Sequence, residues 1–176
     1  MNKIALTFDD GPNPFWTLKV ADVLDKYGVK GNFFVIGKWA EKYPEIVKEV
    51  FRRGHLIGNH SYSHSTEGGD FDRAEKVISG IIGEKTKFIR MPFSTTDYNI
   101  NSLDYCEYDK GLIIKRVLKS VRIRISMNSI ILFHDGSDRE EEMENRPKEM
   151  FKALPKIIEG LIAKDFKIIT LDKYAN

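Results

Sequence analysis

The sequence predicts an α/β fold built on a parallel sheet. Short apolar runs alternate with amphipathic stretches, glycine or proline punctuates the junctions, and polar or titratable residues gather where the apolar runs end. Residues 3–8 read as the first strand, closed by Asp9-Asp10-Gly11-Pro12. Successive strand side chains point to opposite faces, so two neighbouring acids reach one site only where the chain turns, and Gly11 and Pro12 are expected to supply that turn. Pro14 suits the first turn of a helix whose Leu18, Ala21, Leu24 and Tyr27 share a face. Gly28 and Gly31 bracket its exit, and residues 32–36 form a second strand. Residues 37–53 are helical, with Pro44 opening the second half and Ile46, Val47, Val50 and Phe51 facing inward.

Residues 55–59 make a third strand that delivers the chain to His60-Ser61-Tyr62-Ser63-His64. Ala74, Val77, Ile78, Ile81 and Ile82 then form one stripe of a helix closed by Gly83, and residues 87–90 read as a fourth strand ending at Met91-Pro92-Phe93. Residues 94–111 break the rhythm, being polar with neither a helical nor a strand pattern. A helix carrying Ile113, Ile114, Val117, Leu118 and Val121 restores it, followed by a strand over 129–133 that ends at His134-Asp135-Gly136. The acidic run 138–144 reads as a solvated surface segment. Pro147 opens the last helical region, Pro155 is expected to split or kink it, and residues 167–171 form the final strand.

Composition narrows the function classes. With 28 basic against 26 acidic residues, the net charge of +2 in 176 residues gives no electrostatic footprint for nucleic acid. A single cysteine, Cys106, excludes an intramolecular disulfide framework and any cysteine-based zinc cluster. No apolar run approaches the roughly 18 residues of a membrane span. The N-terminus runs directly into the first strand, so the chain as it stands reads as a soluble, cytoplasmic protein of one domain, residues 1–176. Nothing in it fixes an oligomeric state.

Two of the four histidines, His60 and His64, stand four residues apart, near enough on a turn or tight loop to share a metal. With Asp10 they make the three-ligand set of a catalytic zinc that keeps a position open for water. An isolated His-x-x-x-His pair can equally be structural, and Asp-Asp-Gly-Pro by itself can be an ordinary hydrogen-bonded turn.

The order of these groups along the chain says more than any one of them. Thr7-Phe8-Asp9-Asp10-Gly11-Pro12, Gly58-Asn59-His60-Ser61-Tyr62-Ser63-His64, Arg90-Met91-Pro92-Phe93 and Ile131-Leu132-Phe133-His134-Asp135-Gly136 each end a separate expected strand. In this order they closely resemble the polysaccharide deacetylase family, the NodB-homology or carbohydrate esterase family 4 domain, over nearly the whole chain. The resemblance implies an incomplete or distorted (β/α) barrel of about six or seven strands. It also implies a divalent metal, usually zinc, held by Asp10, His60 and His64. Asp9 would be the general base on the metal-bound water, Arg90 would hold that base by a charge pair, and His134 would be the general acid. The backbone N–H of Phe93, in the segment with Pro92, would face the oxyanion, and Tyr62 lies between the two ligands as a further substrate candidate. The implied activity is removal of acetyl groups from N-acetylglucosamine units of chitin-like or peptidoglycan-type carbohydrate. The nearest alternatives are an O-acetyl xylan esterase with the same site and a catalytically impaired carbohydrate-binding member. Family members with such substrates commonly work at the cell envelope or outside the cell.

The departure from the family pattern lies in residues 94–111, where members usually insert a further helix and strand. Asn101-Ser102-Leu103-Asp104-Tyr105 looks like a weakened form of the family's acidic motif, making Asp104 the expected partner of His134, and phenylalanine stands at 93 where tyrosine is usual. His55 reads as a structural histidine. Trp16 and Trp39 could stack on sugar rings or simply pack.

Overall fold

The computed structural model describes residues 2–107, 109–123 and 129–174, with no side-chain detail for 122 and 123. Among the described residues six strands and six α-helices follow in the order β1 (Lys3–Gly11), α1 (Thr17–Lys26), β2 (Asn32–Val35), α2 (Gly37–Lys42), α3 (Pro44–Arg52), β3 (Leu56–Asn59), α4 (Gly68–Ile82), β4 (Ile100–Asn101), α5 (Lys110–Ile123), β5 (Ser129–His134), α6 (Lys148–Ile162) and β6 (Lys167–Ile168). All strand pairs are parallel, in the order β3-β2-β1-β5-β4. β5 runs along one edge of β1 from Ile4 to Asp9, so β6 (beside Lys3 and Ile4) and β2 (from Thr7 onward) share the other edge end to end. The α/β expectation holds, and the six-stranded sheet is open rather than closed into a barrel.

The pleat explains how one sheet makes both a core and a site. Phe33, Phe8 and Phe133 are register partners on β2, β1 and β5, and their rings stack across the strands at 5.0 and 5.6 Å. Together with Leu6, Val20, Ala21, Leu24 and the buried faces of α5 and α6, they form the main apolar core. Thr7 and Asp9, on alternate positions of β1, point to the opposite face. There Asp9 is paired in register with His134.

Four expectations change, the first being the final strand, which spans only Lys167–Ile168 because Leu171 opens a 3-10 turn. Residues 87–90 form no strand: only a single bridge, Ile89 beside Asn59, extends the β3 edge. Conversely, the polar segment 94–111, of which Tyr108 lies outside the described residues, contains β4, which pairs with Ile131 and Leu132 of β5. Two residues are too short to show any alternation in sequence. Pro155 lies inside a continuous α6 and does not split it.

The acidic run 138–144 also differs from a solvated loop. Residues Glu140–Glu142 form a 3-10 turn, and Met143 is buried with Ile36 and Trp39 in a second, smaller apolar cluster. Asn13 Nδ2 donates to the Met143 carbonyl, Trp16 Nε1 to that of Glu144 and Trp39 Nε1 to that of Ser137. Both tryptophans are therefore fastening this loop, and neither lines the cavity at the carboxyl ends of the strands.

Candidate active site

The acidic pair is shaped by a bulge in β1. Asp9 pairs with Phe34 and Gly11 with Val35, so Asp10 is the extra residue, and its φ of 70° turns it out of the ladder. This left-handed conformation, rather than a turn made by Gly11 and Pro12, brings both carboxylates to one side; the strand itself continues through Gly11. Asp9 and Asp10 are each only 4% exposed. Ser61, His64, Phe93 and Leu103 also have positive φ, so backbone strain concentrates around this cavity.

Asp10, His60 and His64 present ligand atoms within 4.8 Å of one another. His60 Nε2 and His64 Nε2 each lie 3.4 Å from Asp10 Oδ1, a buried oxygen that has no hydrogen-bond partner among the described residues. On its other side the His60 ring meets the Arg90 carbonyl, Nδ1 to O 2.9 Å. A carbonyl only accepts, so Nδ1 carries a proton and Nε2 is the nitrogen presented to Asp10. An unsatisfied buried carboxylate oxygen with two converging imidazoles suits a divalent cation such as zinc. Burial alone would raise the Asp10 pKa, but the His60 imidazole and the charges of His134, His60 and His64 outweigh it and hold Asp10 well below the usual carboxylate range.

Asp9 borders this cluster, its Oδ2 3.7 Å from His60 Nε2, and its other oxygen is held by Arg90. Arg90 Nη1 donates to Asp9 Oδ1 and to Thr7 Oγ1, both at 2.8 Å, while Nη2 reaches the Asp97 carbonyl at 3.2 Å. The guanidinium lies 4.2 Å from the centre of the Phe34 ring and Arg90 is 2% exposed, so both Nη atoms and one ring face hold it, while its buried Nε has no hydrogen-bond partner among the described residues. Arg90 thus orients Asp9 through its side chain and His60 through its carbonyl.

β4 supplies the opposite wall. Its pairing with β5 sets Asp104 beside His134: Asp104 Oδ2 accepts from the His134 backbone N–H at 2.8 Å, and Oδ1 lies 3.0 Å from Nδ1. Ser102 Oγ donates to the same carboxylate at 2.7 Å. Burial opposes charging of His134, yet Asp104, followed by Asp10 and Asp9, pushes its pKa up to about 9. The Tyr105 ring stands edge-on to this imidazole, with centroids 5.4 Å apart.

Asp9, Asp10, His60, His64, Arg90, Tyr105 and His134 line a cavity of about 420 Å³ with Met91, Phe93, Tyr98 and Asn101, and Asp104 stands behind His134 outside it. Phe93 is 77% exposed, and its N–H has no acceptor among the described residues. Pro92 is buried and does not line the cavity. Tyr62 points away from it: its hydroxyl donates to Glu41, and the Arg73 guanidinium covers its ring at 3.4 Å. His55 is remote, accepting the Gly31 N–H at Nδ1. Sequence reading missed Thr7, Tyr98, Asp138 and Arg146; only the alternation from Asp9 back to Thr7 could have signalled one of them.

A polysaccharide deacetylase family model matches residues 1–109. The chain is 30% identical to a peptidoglycan-N-acetylglucosamine deacetylase of Bacillus cereus over 195 residues, spanning 96% of this chain and 66%, just under two thirds, of the relative. It is 32% identical to a chitooligosaccharide deacetylase of Sinorhizobium fredii over 163 residues, 78% of this chain and 74% of that one. The crystal structure of the Bc1960 peptidoglycan N-acetylglucosamine deacetylase superposes with a TM-score of 0.83 at 30% identity, covering 96% of this chain and 86% of that one.

Proposed function

The chain belongs to the polysaccharide deacetylase family, and from that premise we propose that residues 1–176 form one deacetylase domain, a metal-dependent hydrolase that removes acetyl groups from N-acetylglucosamine units of chitin-like or peptidoglycan-type glycans. The observation that carries this reading is the convergence, in one cavity, of the Asp10-His60-His64 cluster with an arginine-held carboxylate and an aspartate-held imidazole.

Amide hydrolysis needs an activated water, stabilisation of an oxyanion and a proton for the leaving nitrogen. When bound by Asp10, His60 and His64, a divalent cation, zinc for preference, supplies Lewis acidity and lowers the pKa of water there to roughly 7. Asp9, aimed by Arg90, takes the proton of the attacking water. The Phe93 N–H, which has no acceptor among the described residues, is available to the oxyanion, a contribution on the order of 3 kcal/mol for one such donor. His134 is protonated at neutral pH because of Asp104, and it donates to the departing amine. Acetate and a free amino sugar result.

The test is acetate release by the purified protein from N-acetylated chitooligosaccharides and peptidoglycan fragments, with zinc and after chelation. Release that requires the metal is expected. Zinc uptake with no acetate from any N-acetylated glycan would overturn the reading.

A further inference from the structure

His60 and His64 resemble each other on the inner side of the cluster and differ on the outer side. The Nδ1 of His60 is engaged by the Arg90 carbonyl, whereas the Nδ1 of His64 is buried and has no hydrogen-bond partner among the described residues. The nearest charged group on that side is Asp138, whose Oδ2 lies 3.7 Å from His64 Nδ1. We infer that Asp138, from the loop after β5, is a positioning residue for the metal site: its carboxylate holds the Nδ1 proton of His64 and so keeps the Nε2 lone pair turned toward Asp10.

The argument is electrostatic and rests on the metal-dependent reading above. An unprotonated Nδ1 would aim its lone pair at a carboxylate, so Asp138 favours a proton on that nitrogen. A ligand histidine whose second nitrogen is held by a carboxylate is fixed in ring orientation and made a stronger donor. With Asp138 in this place both histidines are braced from outside, one by a carbonyl and one by a carboxylate.

The loop is built to keep that carboxylate in place. Lys38 Nζ donates to the Asp138 carbonyl at 2.8 Å, and Arg146 Nη1 lies 3.5 Å from Asp138 Oδ1. The same guanidinium nitrogen donates to Ser137 Oγ at 2.9 Å and to Glu142 Oε2 at 3.0 Å, tying both ends of the turn together. Burial of Met143 against Trp39 and Ile36 then anchors the whole segment to the body of the protein. A merely solvated acidic run would need none of these fastenings.

The experiment measures zinc affinity by competition with a chromophoric chelator for wild type, Asp138→Ala, Asp138→Asn and Asp138→Glu, alongside thermal unfolding of each. Asp138→Ala is expected to bind zinc about 10- to 100-fold more weakly, with Asp138→Glu recovering part of the loss. The isosteric Asp138→Asn serves as the reading if the alanine variant fails to fold, and it too should bind more weakly than wild type. In ¹H–¹⁵N spectra of the zinc-loaded protein, the His64 Nδ1–H should be slow to exchange in wild type and fast in Asp138→Asn. Folded variants with affinity within twofold of wild type, or with an unchanged His64 signal, overturn this inference while leaving the proposed activity intact. A wild type that takes up no zinc overturns both.

Discussion

Asp9 and Asp10 are chemically identical neighbours that the backbone sorts into different surroundings, one against a guanidinium and the other against two imidazoles. Asp9→Asn keeps the shape and removes the base, so kcat/KM for acetate release should fall by about 10²- to 10⁴-fold while zinc affinity stays near wild type. An unchanged rate would remove Asp9 from the mechanism. Asp104→Asn addresses the other end of the reaction. The acid form of His134 is lost as pH rises through a pKa that Asp104 helps to raise, so the basic limb of the pH–rate profile should move to lower pH by about one unit or more. A basic limb that does not move would separate His134 from this partner. Residue types and spacing nominated Asp10, His60 and His64, and the family resemblance carried by the order of the motifs added Asp9, Arg90, His134 and Asp104. Tyr62 shows the limit of such reasoning: adjacency to two candidate ligands carries no information about side-chain direction, and its ring turns toward Arg73 and Glu41.

At the scale of elements, the strand ends do the positioning. The bulge at Asp10 is packed directly beneath Gly136, where an added Cβ would come within 2.1 Å of the Asp10 carbonyl oxygen and 2.8 Å of the Gly11 nitrogen. Neither neighbour is a movable side chain. Gly136→Ala should therefore cost about 1–3 kcal/mol in chemical unfolding and weaken zinc binding, because relief requires the Asp10 turn to shift. Full stability with full zinc affinity would show that the two strand ends are not locked as described. The long elements were legible from period and punctuation, from the stripe of α4 closed by Gly83 to Pro44 opening α3. β4 and the loop after β5 were not. A two-residue strand is defined by its partner, and the loop's order comes from Met143 and from carbonyls that bind distant tryptophans.

The whole molecule adds a pH dependence that belongs to folding rather than catalysis. Burial is the main cause that lowers the His55 pKa to about 4, against the ordinary 6.5, with the Asp25 charge only partly opposing it. Between those values the unfolded chain binds the extra proton, so the His55 contribution is complete above pH 6.5 and is lost as pH falls toward 4. Asp135, whose pKa burial pushes up to about 7, acts in the opposite sense, so the two must be separated. The difference in unfolding free energy between wild type and His55→Gln, measured from pH 7 to pH 4, should shrink by on the order of 2 kcal/mol in the acid range. Parallel curves would show that His55 is not buried neutral. Among the described residues no helix is long and apolar enough to cross a membrane. By itself the sequence determined the parallel α/β plan and the titratable residues at the strand ends, because alternation, helical stripes and residue chemistry are local properties. Only the tertiary structure decided that Asp10 rather than Gly11 makes the turn, that residues 100–101 pair as β4, and that the acidic loop closes onto His64. Each of those depends on contacts between residues far apart in the chain, and no local pattern encodes them.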